Sequence, residues 1–159
     1  MLFEHEQKRA VISACGLYRY RLDREWATNG RRVLFVMLNP STADAERDDN
    51  TLRRCKAFAR SWDYSSLQVV NLYALRSTDP KVLRCHPDPV GPENDLYIKF
   101  AATQAALIVC AWGNNAEPQR AAQVLTMLRQ YKLFCLGKTK TDQPLHPLRL
   151  SALTALVEL

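Results

Sequence analysis

The chain alternates between short apolar runs and amphipathic stretches along most of its length. Apolar runs predict buried strands over residues 33–38, 67–72, 106–112 and 133–136. Apolar residues at helical spacing, preceded by capping or turn residues, predict helices over about residues 51–61, 92–104, 117–130 and 148–157. Strands that alternate with helices are typical of a parallel sheet with right-handed crossovers. The sequence therefore predicts an α/β fold, a three-layer αβα sandwich around a central and mostly parallel four-stranded sheet.

Residues 1–32 show the period-2 alternation of half-exposed strands. Two short strands, over residues 10–13 and 17–22, are expected to form an antiparallel edge of the sheet. Arginines are frequent there, and they either discourage association at an exposed edge or cluster near a phosphate. The whole chain, residues 1–159, is predicted to form one domain, in which this edge is followed by a core over residues 33–159.

A polar turn follows each core strand at its carboxyl end. The first core strand must end at Asn39 and Pro40, because proline lacks an N–H and biases the residue before it toward an extended shape. The carboxyl ends of parallel strands lie along one edge of a sheet, where α/β proteins place ligands. The sequence therefore predicts one pocket at this edge, and its candidate residues are Asn39, Pro40, Ser41, Thr42, Asp44, Asn71, Tyr73, Trp112, Gly113, Asn114, Lys138 and His146.

Each central candidate also has a purely structural interpretation. A buried Asn71 with an unpaired amide costs about 1–3 kcal/mol, so it either pairs with the backbone or points into a pocket. Asn39 is a common turn residue, and His146 before a proline could cap the last predicted helix. Trp112 could belong to the core or to the wall of the pocket.

An acidic segment follows the first polar turn. Asp44, Glu46, Asp48 and Asp49 carry carboxylates that could bind a divalent cation. Asp49 also suits the N-cap of the next helix, and no second cluster of ligands follows, so capping and solvation explain these residues more simply. The chain lacks the GxxxxGK[ST] loop of ATPases, and no cofactor is predicted.

Net charge adds a possible class of partner. The formal net charge of +6 over 159 residues permits DNA or a nucleotide as partner, and is equally compatible with an ordinary solvated surface.

Five cysteines without CxxC spacing indicate reduced thiols in a cytoplasmic protein. The first residues do not resemble a signal peptide and no apolar run has the length of a membrane span, so no membrane partner is expected. The oligomeric state is left open.

Five ordered motifs resemble a known family. They are LNPSTAD, VVNLYALRSTDP, DPVGPEND, AWGNN and LGKTKTDQPLHPLRL, and they extend from about Tyr18 to Leu150. Together they resemble a family of small bacterial and phage proteins, domain of unknown function 1643. The family name carries no activity, so it places the chain without explaining it.

A more distant resemblance is to the uracil-DNA glycosylase superfamily. Its members have a carboxylate or Asn before Pro after the first core strand, and an Asn at the end of a middle strand. An apolar strand ending in Trp-Gly and a closing His-Pro loop follow. Here Asn39-Pro40, Asn71, Trp112-Gly113 and His146-Pro147 fall in that order.

This resemblance implies a uracil-DNA glycosylase-like fold and cleavage of the N-glycosidic bond of a nucleobase in DNA or a nucleotide. His146 would donate a hydrogen bond to the departing base, and Asn71 would bind the Watson–Crick edge of a pyrimidine. Asn39 stands where many members have the carboxylate that positions water; an amide can orient water but cannot take its proton. Members of the mismatch-directed branch also have Asn there.

Two further departures bear on the activity. Ser41 replaces an aromatic residue, and no Ser follows the His-Pro pair. The alternative function is therefore a non-catalytic module that binds a nucleotide or nucleic acid, tied to phage defence or DNA modification. Candidate contacts to a nucleic-acid backbone are Arg53, Arg76 and Arg149.

Overall fold

The computed structural model describes residues 1–28, 30–41 and 43–159. Over these residues the elements follow in the order β1 (Leu2–Ile12), β2 (Arg19–Ala27), β3 (Arg32–Met37), α1 (Asn50–Ser61), β4 (Ser66–Asn71), α2 (Pro80–Cys85), α3 (Asn94–Gln104), β5 (Leu107–Cys110), α4 (Pro118–Met127), β6 (Leu133–Cys135) and β7 (Val157–Glu158). The predicted α/β class is confirmed.

All seven strands belong to one mixed sheet with the order β1-β2-β4-β3-β5-β6-β7. Neighbours among β4, β3, β5 and β6 are parallel. β2 pairs antiparallel with β4, and β1 and β7 form antiparallel pairs at the two edges. The sheet is therefore larger than the four-stranded sheet expected, because the N-terminal strands β1 and β2 join it at β4 and the C-terminal strand β7 joins it at β6.

β3 separates two hydrophobic cores. Leu34 and Val36 pack in one core with Ile98 of α3, and Phe35 packs in the other with Phe58 of α1. Alternate residues of a strand point to opposite faces, so helices cover both sides of this strand. Its carboxyl end emerges between the two cores.

A buried group of charges holds the loop that follows β3. The fully buried Arg24 donates from Nε to Asp48 Oδ1 at 2.8 Å and from Nη2 to the carbonyl oxygen of Asp44 at 2.6 Å. Lys56 Nζ lies 2.7 Å from Asp48 Oδ2 and 2.8 Å from Glu6 Oε1. Side chains of β1, β2 and α1 therefore fix the path of this loop.

The predicted last helix over residues 148–157 is wrong. Residues 148–156 form turns and irregular backbone, and β7 follows them. Arg149 has a φ of 70°, a left-handed conformation that a right-handed helix excludes. The segment is held instead by Arg54 of α1, which donates a hydrogen bond to the carbonyl oxygen of Leu150.

The three other predicted helices correspond to α1, α3 and α4, with small shifts at their ends. α2 was not expected, because Asp79-Pro80 is also typical of a turn. There Asp79 Oδ1 accepts from the N–H of Lys81 at 2.9 Å, and Pro80 occupies the first helical turn. None of the helices in the described ranges is both long enough and apolar enough to cross a bilayer.

Candidate functional site

A cavity of about 340 Å³ opens at the carboxyl ends of β3, β4 and β5. Seven of the twelve pocket residues suggested by the strand ends line it: Asn39, Ser41, Asn71, Trp112, Gly113, Asn114 and His146. These residues are distant in sequence and meet because the parallel strands end at one edge of the sheet. Their chemical roles stay predictions.

Asn39 uses its amide nitrogen to hold the neighbouring loop. Nδ2 donates to the carbonyl oxygens of Ser77 at 2.8 Å and Pro40 at 3.0 Å. The N–H of Ser77 in turn donates to the carbonyl oxygen of Pro40 at 2.9 Å. The amide oxygen is therefore the atom through which Asn39 can act on a ligand or a water molecule.

Asn71 is only 1% exposed, and its Nδ2 has no hydrogen-bond partner within the described part of the chain. Its main-chain oxygen accepts from Asn94 Nδ2 at 2.9 Å, which fixes the end of β4. Of the two interpretations, pairing of the side chain with the backbone or orientation into a pocket, the unpaired amide favours the pocket. A ligand that accepts a hydrogen bond would satisfy this nitrogen.

His146 is held as a neutral imidazole with a defined donor. Nδ1 accepts from the N–H of Leu148 at 3.1 Å, so the proton of the neutral ring belongs on Nε2. Burial lowers the pKa of His146 below its usual value, although the charge of Asp49 opposes this effect. His146 therefore presents an uncharged N–H donor at neutral pH.

The turn that carries His146 is docked onto the end of β5. Gly113 has a φ of 72° and donates from its N–H to the carbonyl oxygen of Pro144 at 2.8 Å. Trp112 Nε1 donates to Gln143 Oε1 at 3.0 Å, and Asn114 Oδ1 accepts from the hydroxyl of Thr141 at 2.8 Å. Trp112 is thus both buried and part of the cavity wall, and the side chain of Asn114 is occupied by this docking.

Arg19 lines the same cavity, although the sequence pattern pointed to an edge-strand charge. It is 4% exposed, and its guanidinium contacts the loop that follows β3. Nη1 donates to the carbonyl oxygen of Ala43 at 2.6 Å, and Nε has no partner among the described residues. Burial lowers the pKa of Arg19 to about 10, which leaves it charged at neutral pH. This burial depends on a tertiary contact with the loop after β3, which the alternating pattern of β2 does not show.

Asp49 also lines the cavity, where it brings a carboxylate. Oδ1 accepts from the N–H of Leu52 at 2.8 Å, which confirms the predicted N-cap of α1. Oδ2 accepts from the hydroxyl of Ser41 at 2.8 Å. The sequence pattern identified Asp49 as a helix cap and not as a pocket residue. The structure shows that one side chain both caps α1 and lines the cavity.

Four other candidates lie outside the cavity lining. Pro40 and Tyr73 are buried, and Tyr73 accepts from the N–H of Glu117 at 3.1 Å through its hydroxyl. Asp44 accepts from two backbone N–H groups, and these bonds lower its pKa. Lys138 is exposed and lies 3.1 Å from Asp142 Oδ1. Thr42 lies outside the described residues.

The three arginines considered for backbone contacts are close to the cavity in sequence. Arg53 and Arg149 are exposed, and Arg76 is half-buried with Nη1 3.3 Å from the carbonyl oxygen of Gly16. Each lies within three residues of a cavity-lining residue, namely Leu52, Ser77 and His146. They are therefore close to the lining in sequence, and none of the three lines the cavity.

The fold and the cavity define an α/β protein with a cavity lined by polar side chains at the carboxyl edge of the parallel strands of a mixed sheet. A family model described as "Protein of unknown function (DUF1643)" matches residues 19–148, and the chain belongs to this family. Searches of curated proteins and of solved structures found no significant match.

Proposed function

We propose that this protein hydrolyses the N-glycosidic bond of a nucleobase, in DNA or in a nucleotide, and that it is a distant relative of the uracil-DNA glycosylases. The observation that carries the proposal is the pairing of two donors in one cavity. Asn71 has an unpaired amide nitrogen there, and His146 is a neutral imidazole with its proton on Nε2. A pyrimidine offers carbonyl oxygens to such donors.

In this proposal Asn71 binds the base and His146 stabilises its departure. Cleavage leaves negative charge on the base carbonyl oxygen, and a fixed donor at that oxygen lowers the barrier. A neutral imidazole is suited to this role because its environment already disfavours the second proton. The cavity volume of about 340 Å³ falls in the range of small-ligand sites.

Water activation is assigned to Asp49 rather than to Asn39. The amide of Asn39 cannot take a proton, and its nitrogen already holds Ser77 and Pro40. Asp49 supplies a carboxylate in the same cavity. Asn39 would orient the water through its amide oxygen, and Asp49 would accept the proton as the water attacks the sugar carbon.

The test is release of free base, followed by chromatography, from oligonucleotides and nucleoside monophosphates that contain uracil, thymine mispaired with guanine, or hypoxanthine. His146→Ala is expected to reduce release by about 100-fold or more, as loss of an oxyanion-type donor does. Asp49→Asn should cause a comparable loss while keeping the helix cap, because an Asn oxygen can also accept from Leu52.

His86→Ala is the matched control. His86 also precedes a proline, and its Nδ1 accepts from the N–H two residues later at 3.0 Å, but it does not line the cavity. This variant should retain full activity. Absence of base release from every substrate would refute the hydrolase.

A second candidate is the non-catalytic binding module, which the occupied amide of Asn39 favours. If this candidate is right, the wild-type protein binds DNA or a nucleotide and does not convert it. For DNA, the affinity should fall steeply with salt concentration. Absence of binding at low salt would exclude it.

A further inference from the structure

Arg19 differs from the other buried arginines of the described chain. Arg24 lies 2.8 Å from Asp48 Oδ1, and Arg120 lies 2.7 Å from Asp95 Oδ1. Arg19 is as deeply buried, yet within the described ranges it has no carboxylate within ion-pair distance, 4.0 Å. A buried and unpaired cation is unfavourable in a folded protein, so this position calls for a partner from outside the chain.

The free edge of the guanidinium has the geometry of an oxyanion site. Nη1 is held by the carbonyl oxygen of Ala43, which leaves the edge formed by Nε and Nη2. Nε is buried without a partner among the described residues. Two parallel N–H donors on one edge match the two oxygens of a phosphate or a carboxylate.

The charges around Arg19 leave this edge available. Asp49 and Asp44 lie near enough to favour its charged form, while Arg24 and Arg76 disfavour it. Asp49 already accepts from a backbone N–H and a hydroxyl, and Asp44 from two backbone N–H groups. Neither carboxylate forms a direct ion pair with Arg19.

We propose that Arg19 binds an oxyanion carried by the ligand itself, inside the cavity. Asn71 and His146 line the same cavity, so the oxyanion belongs to the molecule that carries the base. This identification of the rest of the ligand rests on the proposed function. The substrate class is then a nucleobase compound with a phosphate or a carboxylate: a nucleoside monophosphate, or a nucleoside whose base bears a carboxyl group.

Calorimetric titration distinguishes the two sources of the oxyanion. The probes are uridine, uridine 5′-monophosphate, 5-carboxyuridine and inorganic phosphate. The wild-type protein should bind one of the two charged nucleosides at least about tenfold more tightly than uridine, since hydrogen bonds to an ionised group are the strong ones. Preference for the monophosphate identifies a phosphate site, and preference for 5-carboxyuridine identifies a carboxylate on the base.

Arg19→Met should abolish this preference while uridine affinity stays unchanged, and Arg19→Lys should restore part of it. Arg120→Met is the matched control, because it removes a buried arginine outside the cavity and should keep the preference. The melting temperature of each variant verifies that it is folded. Equal affinity for charged and uncharged nucleosides, an unchanged preference in Arg19→Met, or no binding of any probe would overturn the proposal.

The outcomes also separate this inference from the proposed hydrolase. A preference that depends on Arg19, without release of base, supports the oxyanion site and contradicts hydrolysis. Release of base with unaltered kcat and KM in Arg19→Met supports hydrolysis and contradicts the oxyanion site.

Discussion

The buried charge of Arg19 contributes little to the stability of the fold. Burial lowers its pKa from the usual arginine value to about 10, a net difference that disfavours the charged form by about 3 kcal/mol. Its hydrogen bond to the carbonyl oxygen of Ala43 favours the charged form but does not remove this cost. Such a residue is typical of a site that is kept for binding, since stability alone would favour an apolar side chain.

Arg19→Met should therefore be as stable as the wild-type protein, or more stable by about 1 kcal/mol, which corresponds to roughly 2–4 °C in Tm. Arg120→Met should be less stable by about 1–3 kcal/mol, because the buried carbonyl oxygen of Leu72 loses the hydrogen bond from Arg120 Nε. Asp95 is 45% exposed and stays solvated, so loss of its ion pair adds at most about 1 kcal/mol. Thermal unfolding of both variants provides the comparison. The difference between Arg19→Met and wild type should not vary between pH 6 and 9, because Arg19 is protonated in both the folded and the unfolded states below about pH 10.

His146 is expected to titrate below pH 6.5. Burial disfavours its charged form, so the unfolded chain binds a proton more readily than the folded protein. The stability that neutral His146 contributes is present above about pH 6.5 and is lost as the pH falls through the lower folded pKa. Base release depends instead on the titration of His146 in the folded protein, so it should be flat above about pH 6.5 and decline only below it.

Nitrogen-detected NMR of the imidazole rings measures both the pKa and the tautomer. The spectrum should show the proton on Nε2 at neutral pH, since Nδ1 accepts from Leu148. A folded-state pKa above 6.5, or a proton on Nδ1, would contradict this account of the site.

At the level of elements, the apolar runs and the polar turns that follow them were sufficient to locate the core strands and the polar residues at their carboxyl ends. Because parallel strands end at one edge of a sheet, Asn39, Asn71 and His146 were predicted to share one pocket, and all three line the cavity. The two residues that the pattern did not identify depend on tertiary contacts. Arg19 is buried and contacts the loop that follows β3, and Asp49 caps α1 as well as lining the cavity.

The failed helix at the C-terminal end has a similar cause. Its apolar residues have helical spacing, but Arg149 adopts a positive φ and Arg54 holds the following turn from another element. Local propensity could not anticipate either contact. The side chain of His146 is therefore oriented by a turn, and the helix it was expected to cap is absent from that segment.

The docking of this turn onto β5 can be tested with a matched pair of glycines. Gly113 and Gly16 have similar φ values of 72° and 76°, so an alanine strains both by about 1–2 kcal/mol. A Cβ at Gly16 would meet no atom within 4 Å, whereas one at Gly113 would lie 3.7 Å from His146 Cβ. Both variants should lose similar stability in denaturant unfolding.

Only Gly113→Ala should weaken ligand binding and base release. Relief of its φ strain would shift the N–H that bonds the carbonyl oxygen of Pro144, and with it the turn that carries His146. A several-fold loss of uridine 5′-monophosphate affinity in Gly113→Ala, with none in Gly16→Ala, would support this coupling. Equal binding by both variants would show that the turn does not depend on Gly113.

For the molecule as a whole, the net charge of +6 is relevant only if the basic residues act together on a polymer. Arg53, Arg76 and Arg149 lie within three residues of cavity-lining residues, so they are the arginines to test for contacts with the phosphates of DNA that presents a base to the cavity. If DNA is the substrate, replacing all three by Gln should weaken DNA binding uniformly across sequences. The slope of log affinity against log salt should fall by roughly 2–3, since each phosphate that an arginine neutralises on duplex DNA adds about 0.9 to it.

The same triple variant should bind uridine 5′-monophosphate as the wild-type protein does, since none of the three side chains lines the cavity. Lys99→Gln, on the exposed face of α3, provides the control for a general loss of charge. An unchanged salt slope in the triple variant would mean that these arginines do not bind DNA. Because Arg19 is buried inside the cavity and the other three lie outside it, the salt slope and the preference for an oxyanion are independent measurements. Together they decide whether the substrate is a base within a polymer or a free nucleotide.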